Sequence, residues 1–202
     1  MNVSGNHHNK DVSTQRCFVA IALPGSIREG LHSFQAALRR AGVNLRWVNA
    51  EQLHITLFFL GPCTPDTIAT VAGHLRAAAR DVAPFDLRIE APNVFGPPAA
   101  PRVVWVGVRD DSGTLARWHG DLKARFSGIG IPLEDRPFHP HVTIGRTKSR
   151  RGARTLTSAL HTVSLPSLEV FRVRDLRLYS SALSREGARH TVLHSVPLKG
   201  EP

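Results

Sequence analysis

Apolar and polar positions alternate with two different periods along this chain, and the switches between them mark its elements. "RCFVAIAL" at 16–23 alternates and is rich in β formers, which predicts a strand. Over 24–42 the period lengthens: Ile27, Leu31, Phe34 and Leu38 recur at helical intervals, Ser26 and Glu29 have capping-box spacing, and Gly42 ends the run. After "LRWVNAEQ" a strand opens at "LHITLFFLG", 53–61. Thr64 then stands as N-cap, with Pro65 at the first position of a helix through "TPDTIATVAGHLRAAARD". "FDLRIE" and "RVVWVGV" predict strands separated by "APNVFGPPAAP", whose prolines and glycine exclude regular structure. "SGTLARWHGDLKARFSGIG" predicts a third amphipathic helix. "HVTIG", "LRLYSSAL" and "RHTVLHSVPL" predict strands, with a short helix inside "RTLTSALHTV".

The resulting order, β-α-β-α-β-β-α-β-α-β-β, departs from the strict alternation of a doubly wound parallel sheet and predicts an α+β domain with largely antiparallel sheets. A length of 202 residues suits one domain, or one domain built from two similar halves, and no low-complexity linker divides it. Residues 16–200 are therefore expected to form a single bilobal domain. The polar stretch "MNVSGNHHNKDVSTQ", 1–15, reads as a disordered leader that lacks the apolar core of a signal peptide.

Two stretches repeat one pattern. "LHITL" holds His54 and Thr56, and "HVTIG" holds His141 and Thr143, 87 positions later. In a strand, residues i and i+2 share a face, so each histidine lies beside its threonine while Ile55, Leu57, Val142 and Ile144 anchor the opposite face in the core. A single such pair is a surface histidine on a sheet. Two copies, separated by about the size of a βαβ-type half, are what a pseudo-twofold would bring into one groove. Facing imidazoles suit general acid–base catalysis, because one can hold a proton while the other accepts one. Threonine hydroxyls beside them can donate to non-bridging phosphate oxygens. No H-x-H, H-E-x-x-H, G-x-S-x-G or P-loop accompanies the pairs, which leaves acid–base displacement at phosphorus without a metal or other cofactor.

Charge strengthens that picture. The chain carries 26 Lys plus Arg against 16 Asp plus Glu, a formal +10, which favours polyanionic partners. Cys17 and Cys63 have no metal-ligand spacing and read as buried thiols of a reducing compartment. No stretch reaches the roughly 18 apolar residues of a membrane span, so a soluble, cytoplasmic protein is expected, with no membrane partner. No long apolar stripe is left over, which predicts a monomer.

The motifs resemble those of the 2H phosphoesterase superfamily, and specifically the bacterial and archaeal RNA 2′,3′-cyclic phosphodiesterases, also called 2′,5′ RNA ligases. "RCFVAIALP" resembles the opening strand, "RWVNAEQLHITLFFLG" the first motif with its Trp-Val lead-in, and "RPFHPHVTIGR" the second. The resemblance spans about Arg16 to Leu198. It implies two pseudo-symmetric lobes of antiparallel sheet with outer helices around a central cleft. It also implies that His54 protonates the leaving 3′ oxygen while His141 activates water, leaving a 2′-phosphomonoester; the chemistry of the residues alone leaves acid and base unassigned. The implied substrate is RNA with 2′,3′-cyclic phosphate or 2′,5′-linked ends. A small cyclic nucleotide such as ADP-ribose cyclic phosphate, or a non-catalytic RNA-end binding module, are the alternatives.

Arg146, which the resemblance places at the phosphate with Thr56 and Thr143, ends the second motif strand and could clamp an anion bidentately. "RTKSRRGARTL" adds Lys148, Arg150, Arg151 and Arg154 as a basic arm that could grip backbone phosphates, or stand as a solvated charge run. Phe138 and Trp47 could stack on a base or pack at the cleft wall, and His139 could line its rim. His161-Thr162 and His190-Thr191 are adjacent pairs, whose members face opposite ways in a strand, and are set aside.

Overall fold

The computed structural model describes residues 13–97, 99–148, 152–184 and 187–199. Its elements run β1 (Gln15–Ala22), α1 (Gly25–Arg40), β2 (Leu45–Trp47), β3 (His54–Cys63), α2 (Pro65–Ala79), β4 (Phe85–Phe95) and β5 (Val103–Arg109). There follow α3 (Thr114–Ser127), β6 (His141–Thr147), α4 (Ala153–Thr162), β7 (Phe171–Val173), β8 (Asp175–Ser184) and β9 (Gly187–Pro197). Residues 1–12, most of the expected leader, lie outside the described residues.

The strands form one sheet in the order β7-β4-β5-β6-β3-β1-β8-β9, with β2 added alongside β6. All described pairings are antiparallel, as the element order predicted. Two halves meet at β3 and β6, the two motif strands, which are joined by the single residue pair Ile55 opposite Val142. On one side β6 is followed by β5 and β4; on the other β3 is followed by β1 and β8. This is the arrangement of a pseudo-twofold axis running between the motifs.

Helices cover one face of the sheet. Ile27, Leu31, Phe34 and Leu38 of α1, Val71 and Leu75 of α2, and Leu115, Trp118, Leu122 and Phe126 of α3 join Ile55, Val142 and Ile144 in one buried cluster. Full burial of each such side chain contributes about 1.5–3 kcal/mol relative to exposure. The helix periodicity of α1 and the Thr64 cap of α2, whose side chain accepts from Thr67 N–H, are as the sequence predicts. Cys17 and Cys63 are buried free thiols; burial, with Cys63 alongside, pushes the Cys17 thiol up to about 12.

Three sequence expectations are corrected. Ser26 and Glu29 form no capping box, because the N-cap of α1 is Pro24, two residues before Ser26, and the helix has no side-chain cap. The stretch from Ala91 to Phe95 is not irregular but continues β4. Pro92 is accommodated at a register shift opposite Val106, where β7 no longer pairs with β4, so its missing N–H falls at an open edge. Finally, β2 and β7 are absent from the predicted order; three residues each are too few to show a period.

Candidate active site

Because Ile55 and Val142 point into the core, the residues flanking them point to the uncovered face. An antiparallel register through that pair sets His54 abreast of Thr143 and Thr56 abreast of His141, so each histidine faces the other strand's threonine. All four are half-buried.

The two imidazoles are held the same way. His54 Nδ1 lies 2.6 Å from the backbone oxygen of Gln52, and His141 Nδ1 lies 2.7 Å from that of His139. A carbonyl oxygen only accepts, so each Nδ1 carries the proton and donates it, leaving Nε2 as the free ring nitrogen. Burial pushes His54 down to about 4 from the usual 6.5, against the Gln52 hydrogen bond; charge on His190 and His141 pushes the same way. Burial also lowers His141, assisted by the charges of Arg146 and His139. His139 therefore enters through its carbonyl and its charge.

Each motif strand carries a β-bulge one residue past its threonine. In β3, Thr56 lies opposite Ala20 and Phe58 opposite Val19, which leaves Leu57 unpaired. In β6, Thr143 lies opposite Trp105 and Gly145 opposite Val104, which leaves Ile144 without a partner in β5. The extra residue shifts the alternation, so that the third residue after each threonine returns to the histidine face. That residue is Arg146 in β6, exposed and close enough to oppose a charge on His141. In β3 it is Phe59, whose side chain is 59% exposed beside Phe18.

Aromatic rings wall both sides. Phe18 lies 4.9 Å from His54, His190 lies 5.3 Å from it, and Tyr179 stacks on Phe18 at 5.0 Å. Across the seam, Phe95 and Trp105 stack at 4.7 Å and present edges to His141 at 5.0 and 5.7 Å. Phe18, Tyr179, Phe95 and Trp105 were not singled out from sequence. Trp105 was readable, since Val104, Val106 and Val108 are core and their neighbour must face away. His190 was set aside because it cannot share a face with Thr191, yet without its threonine its ring reaches the site from β9, which sequence did not foresee. His161 lies on α4 rather than on a strand.

The remaining candidates divide. The ring of Phe138 stacks on His119 at 4.0 Å, and Trp47 carries Arg39 over its face at 4.8 Å. Lys148 is exposed, while Arg150 and Arg151 lie outside the described residues. A cavity of about 880 Å³ lies elsewhere, among Phe85, Trp118 and several arginines. Of these, Arg88, Arg109 and Arg125 are already paired with Asp111 and Asp121, so the cavity offers little free positive charge. No described helix is long and apolar enough to cross a membrane.

The family model described as the 2′-5′ RNA ligase superfamily matches residues 23–185. An RNA 2′,3′-cyclic phosphodiesterase of Geobacillus stearothermophilus is 32% identical over 92% of this chain, which spans 58% of that relative's length. Another, of Thermotoga maritima, is 29% identical over 92% of this chain and 96% of its own. The crystal structure of TT0787 of Thermus thermophilus superposes with a TM-score of 0.77 at 27% identity, covering 93% of this chain and all of that one.

Proposed function

Since this chain belongs to the 2′-5′ RNA ligase superfamily, we propose that it opens 2′,3′-cyclic phosphodiester ends of RNA to 2′-phosphomonoesters by acid–base catalysis between His54 and His141. The observation that carries this reading is the pair of imidazoles with Nδ1 tied to backbone carbonyls and Nε2 free, each beside the other strand's threonine. The names of the two curated relatives support the substrate class.

In this reading neutral His141 takes a proton from water at Nε2 as the water oxygen bonds to phosphorus. The bond from phosphorus to the 3′ oxygen breaks, and His54 gives that oxygen a proton from Nε2. Thr56, Thr143 and Arg146 donate to the non-bridging oxygens, where negative charge builds. His54 is neutral at pH 7 in the free protein, given its titration near 4. The bound phosphate anion supplies the opposite charge that draws a proton onto it before reaction.

The test is product analysis of a short RNA with a 2′,3′-cyclic phosphate end, incubated with the protein and with His141→Ala in excess chelator. A 2′-phosphate from the unaltered protein alone supports the reading. An intact end with both overturns it and directs attention to small cyclic nucleotides.

A further inference from the structure

A bulged residue has no cross-strand partner, and the ladder around it is locally disrupted, so its backbone needs support from elsewhere. The Ile144 carbonyl oxygen accepts from Val48 N–H at 3.1 Å, and at both bulges a helix side chain adds to what the backbone supplies. Gln35 of α1 is 0% exposed, and its Nε2 donates to the carbonyl oxygens of Ile144 and of Val48, each at 2.8 Å. Its Oε1 lies 3.3 Å from His32 Nδ1, so the buried amide has a partner at each end. On the other half, the backbone carbonyl of Leu57 lies close enough to His119 of α3 to favour a proton on its ring. Its ring lies flat between Phe58 at 4.4 Å and Phe138 at 4.0 Å.

These two residues are placed alike. Ile144 and Leu57 are each the residue just past the motif threonine that its ladder skips, Ile144 opposite β5 and Leu57 opposite β1. Phe58 follows Thr56 by two and Phe138 precedes His141 by three, so the His119 plate also ties the end of one motif to the start of the other. That tie crosses a seam where the backbone contributes one residue pair. A buried amide among apolar neighbours costs free energy unless its hydrogen bonds are made, and a leucine at 35 would serve packing alone.

We propose that Gln35 and His119 are positioning residues, each fixing one bulge: Gln35 aims His141, Thr143 and Arg146, and His119 aims His54, Thr56 and Phe59. The kinetic part of this proposal rests on the phosphodiesterase reading; the geometric part does not. Misplacement of reacting groups by about 1 Å can cost a hundredfold in rate, so small shifts at a bulge are enough to be measured.

The experiment compares Gln35→Met and His119→Phe with the unaltered protein. His119→Phe keeps the aromatic sandwich and removes the donor. Each is assayed for kcat and KM on the cyclic-phosphate RNA, and the imidazole NMR signals of His54 and His141 are followed in inorganic phosphate. The expected result is a fall in kcat of about tenfold to a hundredfold with KM within about threefold. In Gln35→Met the His141 signal should move and the His54 signal stay; in His119→Phe the reverse. Unchanged kcat in a folded variant, or both imidazole signals moving together, overturns the proposal. If Gln35→Met does not fold, His119→Phe decides. If the unaltered protein turns over no RNA, the phosphodiesterase reading fails, and the imidazole pattern alone decides the positioning roles.

Discussion

The rings of His54 and His190 meet edge to face with centroids 5.3 Å apart, although β1 and β8 lie between their strands. Three strand spacings of about 4.8 Å would set them about 14 Å apart on a flat sheet, so the sheet curls this half around the cleft. A proton on His190 therefore opposes one on His54. His190→Asn removes that repulsion and is expected to raise the pH at which His54 loses its proton. Imidazole NMR titration checks this directly, and the alkaline limb of the activity profile should move upward with it. An unmoved His54 titration would remove His190 from the site's electrostatics.

Stability should fall on mild acidification. His54 titrates at about 4 in the fold, against a usual 6.5 that the unfolded chain is expected to show. Between those values the unfolded chain binds more protons, so stability is full above about pH 6.5 and is lost progressively as pH falls to about 4. The difference corresponds to on the order of 3 kcal/mol for His54, and lowered His141 and His190 act in the same direction. Thermal unfolding at pH 7 and pH 4.5 measures it. His54→Asn should flatten the slope, whereas an equally steep slope in that variant would place the acid sensitivity elsewhere.

Arg146 reaches the histidine face through the bulge at Ile144 and depresses the His141 titration. Arg146→Ala should therefore raise the acid limb that reports His141. It should also raise KM for RNA about tenfold and make KM less sensitive to salt, as expected on removing one phosphate-pairing cation. Steady-state kinetics at two ionic strengths and across pH 5 to 8 test both. A salt dependence equal to the unaltered protein's would mean that Arg146 does not touch phosphate.

Thr56→Val and Thr143→Val keep shape and remove one hydroxyl each. If the threonines hold the charge that develops on phosphorus, each change should cost about a hundredfold in kcat, the scale of losing one donor to a developing oxyanion. A rise in KM with kcat intact would instead assign them to ground-state binding.

Period and turn chemistry carried the long elements into view: the α1 stripe of Ile27, Leu31, Phe34 and Leu38, the Thr64–Pro65 start of α2, and both His-x-Thr strands. What escaped was whatever depends on partners across the sheet. Pro92 reads as a breaker until the open edge beside it is known. Strict alternation puts Arg146 on the core face, and only the ladder with β5 reveals the extra residue that returns it. His190 was judged by its chain neighbour Thr191, while its meaning lies in Phe18 and His54 on other strands.

The two bulges make the groove nearly a palindrome. His54 answers His141, Thr56 answers Thr143, and the lengths between them agree residue for residue. The third place after each threonine breaks the tie, with the exposed ring of Phe59 at one end and the guanidinium of Arg146 at the other. That mismatch, with Phe18 and His190 beside His54 and Phe95 and Trp105 beside His141, makes the two ends of the groove chemically different.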